Sequence, residues 1–215
     1  MTTKDFTPLM SSGTAARHPE ILESLKLDLK ISADGFPAFR KADPQDICIA
    51  LQSSPSAKIK GIRELYKSAC AVYAHQLFFR NIVTSDRYPS LPDGSVAKIL
   101  SESFGSTGNF FYLIRTLASG TRDPGFLWLY RKHRPKRGSL FGIARLPLYE
   151  IPDLSRTTPL LCIDLWEHSY MEDWGSDISG FADAYLRQTD WKNVFSGTLE
   201  TPPGHPETGK NAFGG

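Results

Sequence analysis

The spacing of the apolar residues changes once along this chain, and that change restricts the fold more than any other feature. Through Ala118 the apolar positions recur at helical intervals; from Gly125 they alternate. Ile21, Leu22, Leu25 and Leu29 predict a helix from Pro19 to about Lys30. Residues Ile62, Leu65, Tyr66, Ala69, Val72, Tyr73, Leu77 and Phe78 form a stripe along Ile59–Asn81, wide enough to require burial on more than one side. Shorter helices are expected over Asp46–Gln52, Ser95–Glu102 and Asn109–Ala118. Gly125–Tyr130 and Ser139–Leu146 then read as strands joined by a basic turn, a hairpin. Pro159–Leu165 is a third strand, and helices follow over Trp166–Trp174 and Ile178–Gln188, with a kink at Gly175. Helices first and a small sheet with helices afterwards define an α+β chain.

The expected organisation is a flexible tail over 1–18, an α-helical hairpin over 19–88, and a mixed domain over 89–195. The mixed domain holds a small antiparallel three-stranded sheet, and a Gly- and Pro-rich flexible tail follows over 196–215. Cys48, Cys70 and Cys162 are isolated in sequence and odd in number, with no CxxC pair, so neither a zinc knuckle nor a disulfide framework is suggested and a reducing compartment fits. No apolar run approaches the roughly 20 residues of a membrane helix, so no membrane partner is expected. Met1–Arg17 has the Ser and Thr content of a trimmed organellar presequence, but also Asp5 and no clear apolar stripe.

The strongest chemical signal is Leu160-Leu161-Cys162-Ile163-Asp164-Leu165-Trp166-Glu167-His168-Ser169-Tyr170. An apolar strand delivers a carboxylate at its end, and an imidazole follows four residues later on the next helix. One oxygen and one nitrogen donor on rigid elements make half of a site for iron or manganese. On spacing alone, Asp164 as a helix cap and His168 as a core residue is the simpler reading.

This run resembles the D-x-W-E-H-A-Y signature of iron/manganese superoxide dismutases, with Ser169 in the Ala position. The resemblance extends through Trp191-Lys192-Asn193-Val194. It also includes Phe104-Gly105-Ser106, Gly125-Phe126-Leu127-Trp128-Leu129 and Ala74-His75-Gln76-Leu77-Phe78-Phe79, so that it covers about Ile59 to Val194. It implies the dismutase fold and three metal-ligand positions, at His75, Asp164 and His168. The fourth ligand should be a His on the first long helix, within H-x-x-x-H-H ahead of a Tyr. The register taken for that helix puts Leu25 at the ligand position, Leu29 at the second His and Ala33 at the Tyr. His18 is the nearby candidate for that ligand, but it precedes Pro19 at the expected helix start and lacks the pattern that should follow. The Gln that holds metal-bound solvent in the family is also absent, since Ala71 stands at its iron-type position and Gly142–Tyr149 holds no Gln.

Two function classes follow. The incomplete ligand set points to a catalytically inactive dismutase-like protein with no cofactor, similar to the dismutase-like components of the mitochondrial ribosomal small subunit in the matrix. Its partners would be small-subunit rRNA, ribosomal proteins and a second dismutase-like chain, identical or related. Glu167 and His168 would form that dimer contact, as the resemblance implies. Arg131, Lys132, Arg134, Lys136 and Arg137 crowd the basic turn, no acidic residue occurs from Pro124 through Tyr149, and such a tip suits RNA. A solvated charged turn is the plainer alternative, and the net charge of +2 does not by itself demand nucleic acid. The second class is an active iron/manganese dismutase.

Overall fold

The computed structural model describes residues 5–120, 123–135 and 139–199. Among these described residues, eight α-helices and three strands follow in the order α1 (Ser12–Ala33), α2 (Pro44–Leu51), α3 (Lys60–Arg80), α4 (Gly94–Phe104), α5 (Thr107–Ser119), β1 (Gly125–Lys132), β2 (Phe141–Pro147), β3 (Thr157–Asp164), α6 (Glu167–Trp174), α7 (Ile178–Arg187) and α8 (Trp191–Leu199). The sheet order is β2-β1-β3, antiparallel throughout. This is the α+β architecture expected from the change of period.

The sheet separates two cores because side chains on a strand alternate between its faces. Leu127, Leu129, Leu161 and Ile163 face a cluster built with α4, α5, α7 and α8. Phe126, Trp128 and Cys162 face a second cluster built with α1, α2 and α3. β1 is central, and Gly125 through Leu129 are buried. Two glycines make the close pairing to β2 possible. A Cβ on Gly125 would lie 2.4 Å from the Leu146 carbonyl oxygen, and one on Gly142 would lie 2.6 Å from the Tyr130 ring above it.

The helical hairpin is antiparallel. His18 near the start of α1 packs on Phe78 and Phe79 at the end of α3, while Ser32 near the end of α1 meets Ser68. The expected tail over 1–18 is corrected here: α1 begins at Ser12, with the Ser11 hydroxyl accepting from the Thr14 N–H. Pro19 suggested a helix start because proline suits a first turn. Tertiary contacts instead carry the helix straight through it. Leu9 and Met10 are fully buried, Trp174 Nε1 donates to the Leu9 carbonyl (2.8 Å), and the Ser11 N–H donates to Asp173 Oδ2 (2.9 Å). Arg17 pairs with Glu172. At the other end, α8 extends to Leu199, four residues into the expected C-terminal tail, and residues 200–215 lie outside the described residues. The expected kink at Gly175 is a full break, with Gly175 at φ +53° capping α6. Cys48 and Cys70, distant in sequence, meet as free thiols with sulfurs 3.8 Å apart. Among the described residues no helix is long and apolar enough to cross a membrane.

Candidate metal centre

Four donors converge where α1, α3, β3 and α6 meet. β3 ends at Asp164, α6 presents His168 one turn later, α3 supplies His75 and α1 supplies His18. The side chains of His18, His75 and Asp164 are fully buried, and that of His168 is 17% exposed. Asp164 Oδ2 lies 3.3 Å from His18 Nε2, 3.2 Å from His75 Nε2 and 3.1 Å from His168 Nε2. The Nε2 atoms of His75 and His168 are themselves 3.2 Å apart. All four ligand atoms lie within 4.8 Å of one another.

The hydrogen bonds fix the direction of these donors. His75 Nδ1 lies 2.8 Å from the Ala71 carbonyl oxygen, which can only accept, so Nδ1 carries a proton and a neutral ring turns a bare Nε2 toward Asp164. Asp164 Oδ1 accepts the Trp166 N–H (2.9 Å), which anchors the carboxylate and leaves Oδ2 aimed at the imidazoles. His18 Nδ1 is buried with no hydrogen-bond partner. Something positive must lie between acceptors held so close. One proton satisfies a single imidazole–carboxylate pair, whereas one cation satisfies three imidazoles and a carboxylate together. Nitrogen and oxygen donors without a thiolate suit iron or manganese, so the residues present fit such an ion.

Charge balance agrees with the geometry. Where protons rather than a cation join these groups, burial acts to raise the Asp164 pKa, but the charge on a protonated His75 and hydrogen bonds from His168, His18 and His75 hold it well below the usual carboxylate range. Burial acts to lower His75, yet Asp164 and the Ala71 carbonyl outweigh it and raise its pKa. At His18 burial wins over Asp164, and the pKa is lowered. The carboxylate therefore stays ionised inside the core, and His18 favours its neutral, lone-pair-bearing form.

Residues 92–196 match the family described as "Iron/manganese superoxide dismutases, C-terminal domain". This matched stretch belongs to the iron/manganese superoxide dismutase family. The chain is 29% identical over 130 residues to "Superoxide dismutase [Mn] 2" of Halobacterium salinarum, covering 59% of this chain and 60% of that protein. It is 26% identical over 132 residues to "Superoxide dismutase [Mn/Fe]" of Rickettsia bellii, covering 60% and 59%. With "Superoxide dismutase [Fe]" of Escherichia coli it shares 25% identity over 130 residues, 60% of this chain and 64% of that one. The chain thus spans less than two thirds of the length of these curated relatives.

The structure brings His75, Asp164 and His168 together. It corrects the fourth position. Leu25, expected there, lies two turns further along α1 and packs with the second core, as do Leu29 and Ala33. His18 lies beside the other three donors instead. The signal that could have found it was the apolar pair Leu9-Met10 with Ser11 as a helix cap, which sets α1 seven residues earlier. One and two turns beyond His18 stand Leu22 and Lys26, so the family's second His and its Tyr are still absent. At the family's iron-type Gln position, Ala71 offers the site only its carbonyl.

Sequence reasoning also passed over Ser169 as a simple replacement for Ala. Its hydroxyl donates to Asp164 Oδ2 at 2.5 Å. Glu167 opens α6 with an exposed side chain beside His168. The basic turn lies at the opposite end of the sheet, where Arg131 and Lys132 pair with Thr158 and Thr157 while Phe126 pairs with Asp164. Six strand residues put about 20 Å between them. Arg134 is exposed, Lys132 Nζ donates to the Ser139 carbonyl, and Lys136 and Arg137 lie outside the described residues. Tyr130 lies over Gly142, and buried Phe141 packs on Phe195.

Proposed function

We propose that this protein binds one iron or manganese ion through His18, His75, Asp164 and His168 and dismutates superoxide to oxygen and hydrogen peroxide. The observation that carries this reading is His18: the position expected to hold a hydrocarbon side chain holds a buried imidazole aimed at Asp164. An ion of this kind supplies a one-electron couple when bound. The chain supplies the rest. The Ala71 carbonyl orients His75, the Trp166 N–H orients Asp164, and Phe78, Phe79 and Phe126 pack around the imidazoles of His18 and His75 and exclude water. His168 is the ligand with exposed surface, so a small anion approaches past its ring and that of Trp166 (centroids 4.8 Å apart). Glu167 suits a contact across a two-fold axis to His168 of a second copy, a charge-assisted bond that would cover this entrance.

A structural role in a mitochondrial ribosomal subunit is the second reading. It is favoured by the loss of the family's second His, Tyr and Gln positions, now Leu22, Lys26 and Ala71, and by the exposed basic tip at Arg134. Metal analysis of purified protein loaded with iron or manganese, together with a superoxide assay, separates the two. Stoichiometric metal with activity is expected. Protein that takes up neither ion, yet sediments with ribosomal small subunits on a sucrose gradient, would replace the first reading with the second.

A further inference from the structure

We infer that Ser169 is a positioning residue that sets the redox balance of the bound ion through Asp164; this rests on the metal-binding reading above. Ser169 is fully buried in the first turn of α6, and its Oγ lies 2.5 Å from Asp164 Oδ2 and 3.4 Å from His18 Nε2. A serine inside a helix ordinarily turns its hydroxyl back to a carbonyl of the preceding turn. Here the hydroxyl goes to the ligand carboxylate instead. Backbone bonding does not need it, since the Ser169 N–H already reaches the Trp166 carbonyl (2.9 Å).

An ionised carboxylate has about four acceptor directions, two on each oxygen. The Trp166 N–H takes one on Oδ1 and the Ser169 hydroxyl takes one on Oδ2, leaving Oδ2 one direction for the ion. The hydroxyl therefore acts on the oxygen that would meet the metal. A hydrogen bond donated to that oxygen draws off part of its negative charge. The oxidised ion depends on this charge more than the reduced ion does, so Ser169 favours the reduced ion and raises the potential. The signature resembled by this run has Ala here, and the Gln that tunes the family's metal through its solvent has no counterpart at Ala71 or in Gly142–Tyr149. Tuning has moved from the solvent side of the ion to the carboxylate side.

Ser169→Ala removes the donor and leaves the four ligands. Hydrogen-bonding partners of metal ligands commonly change affinity by about 10–100-fold. A change of about tenfold in the ratio of oxidised-ion to reduced-ion affinity corresponds to about 59 mV for a one-electron couple, here downward. Mediated redox titration of the iron-loaded protein, followed by visible absorption, reads this shift directly, and chelator competition reads the affinity of each oxidation state. Ser169→Thr keeps the hydroxyl and should restore the wild-type potential. If the alanine protein does not fold, Ser169→Cys, of similar volume with a weak donor, should show a smaller shift of the same sign. A wild-type protein that loads iron while Ser169→Ala keeps its potential overturns the role of Ser169 alone. So does equal weakening of both oxidation states. A wild-type protein that loads neither iron nor manganese overturns this role together with the metal reading.

Discussion

His18 Nε2 and Asp164 Oδ2 lie 3.3 Å apart and join the start of α1 to the end of β3 inside the core. Neither segment contains the other's donor within reach of any local pattern. The contact exists because α6, which follows Asp164 directly, also holds the chain that precedes His18: Asp173 accepts the Ser11 N–H, Trp174 binds the Leu9 carbonyl, and Glu172 pairs with Arg17. One short helix thus places His168 and docks the helix that supplies His18.

His18→Ala should cost the protein at least about a hundredfold in affinity for iron or manganese, since even the loss of a ligand's hydrogen-bonding partner costs up to that much. Leu25→Ala should leave metal affinity unchanged. Leu25 is half-buried in the second core, so its loss reads out as about 1 to 2 kcal/mol of stability. Chelator competition and urea denaturation on the two variants check the pair. Equal metal affinity in His18→Ala and wild type would remove α1 from the site.

These two residues also show what the sequence could and could not reveal. Asp164 and His168 stand four residues apart at a strand–helix junction, so local spacing suggests a donor pair there, and the resemblance to the family's motifs marks these two and His75 as ligand positions. The strands were legible from local spacing, since alternation in Gly125–Tyr130 reflects two buried faces. His18 was obscured because Pro19 imitates a helix start, and the contacts that override it come from residues 172–174, far along the chain. Ser169 was visible as a replacement for Ala, but the direction of its hydroxyl depends on how α6 leaves β3.

The two sheet glycines should respond unequally to a methyl group. Gly125→Ala sets its Cβ against the Leu146 carbonyl oxygen, backbone that is paired in the sheet and cannot yield, and should cost about 3 kcal/mol. Gly142→Ala meets the Tyr130 ring, a side chain that can rotate outward, and should cost about 1 kcal/mol. Denaturant midpoints at constant slope report both. A larger loss at Gly142 would show that the Tyr130 ring is held as firmly as the backbone.

Asp183 ties α5 to α7, accepting from Arg115 Nη1 and Arg187 Nε, each at 2.6 Å. Burial acts to raise its pKa, but the bonds and charges of Arg187 and Arg115 lower it below the ordinary carboxylate value of 3.8. A carboxyl depressed in the folded state adds stability above its unfolded pKa and loses it as pH falls through the folded one. Asp183→Asn should therefore cost about 1 kcal/mol at neutral pH, the partly exposed arginines limiting the effect, and should flatten the loss of stability below about pH 4. Thermal unfolding of the two proteins from pH 7 to pH 3 tests this. Parallel curves would mean that the pair contributes nothing.

The basic tip and the metal centre occupy opposite ends of β1 and β3, so charge reversal at one should not be felt at the other. Two unit charges about 20 Å apart, with salt between them, interact by far less than the energy that holds a ligand. Arg131→Glu combined with Arg134→Glu should therefore leave iron or manganese content at the wild-type value. If the tip binds single-stranded RNA, removing two phosphate contacts should make the dependence of log affinity on log salt shallower by about 1.4. RNA retention measured across a salt series, beside metal analysis of the same preparation, reads the two ends independently. An unchanged salt slope would leave the tip a solvated turn, whereas altered metal content would mean that the sheet transmits changes from one end to the other.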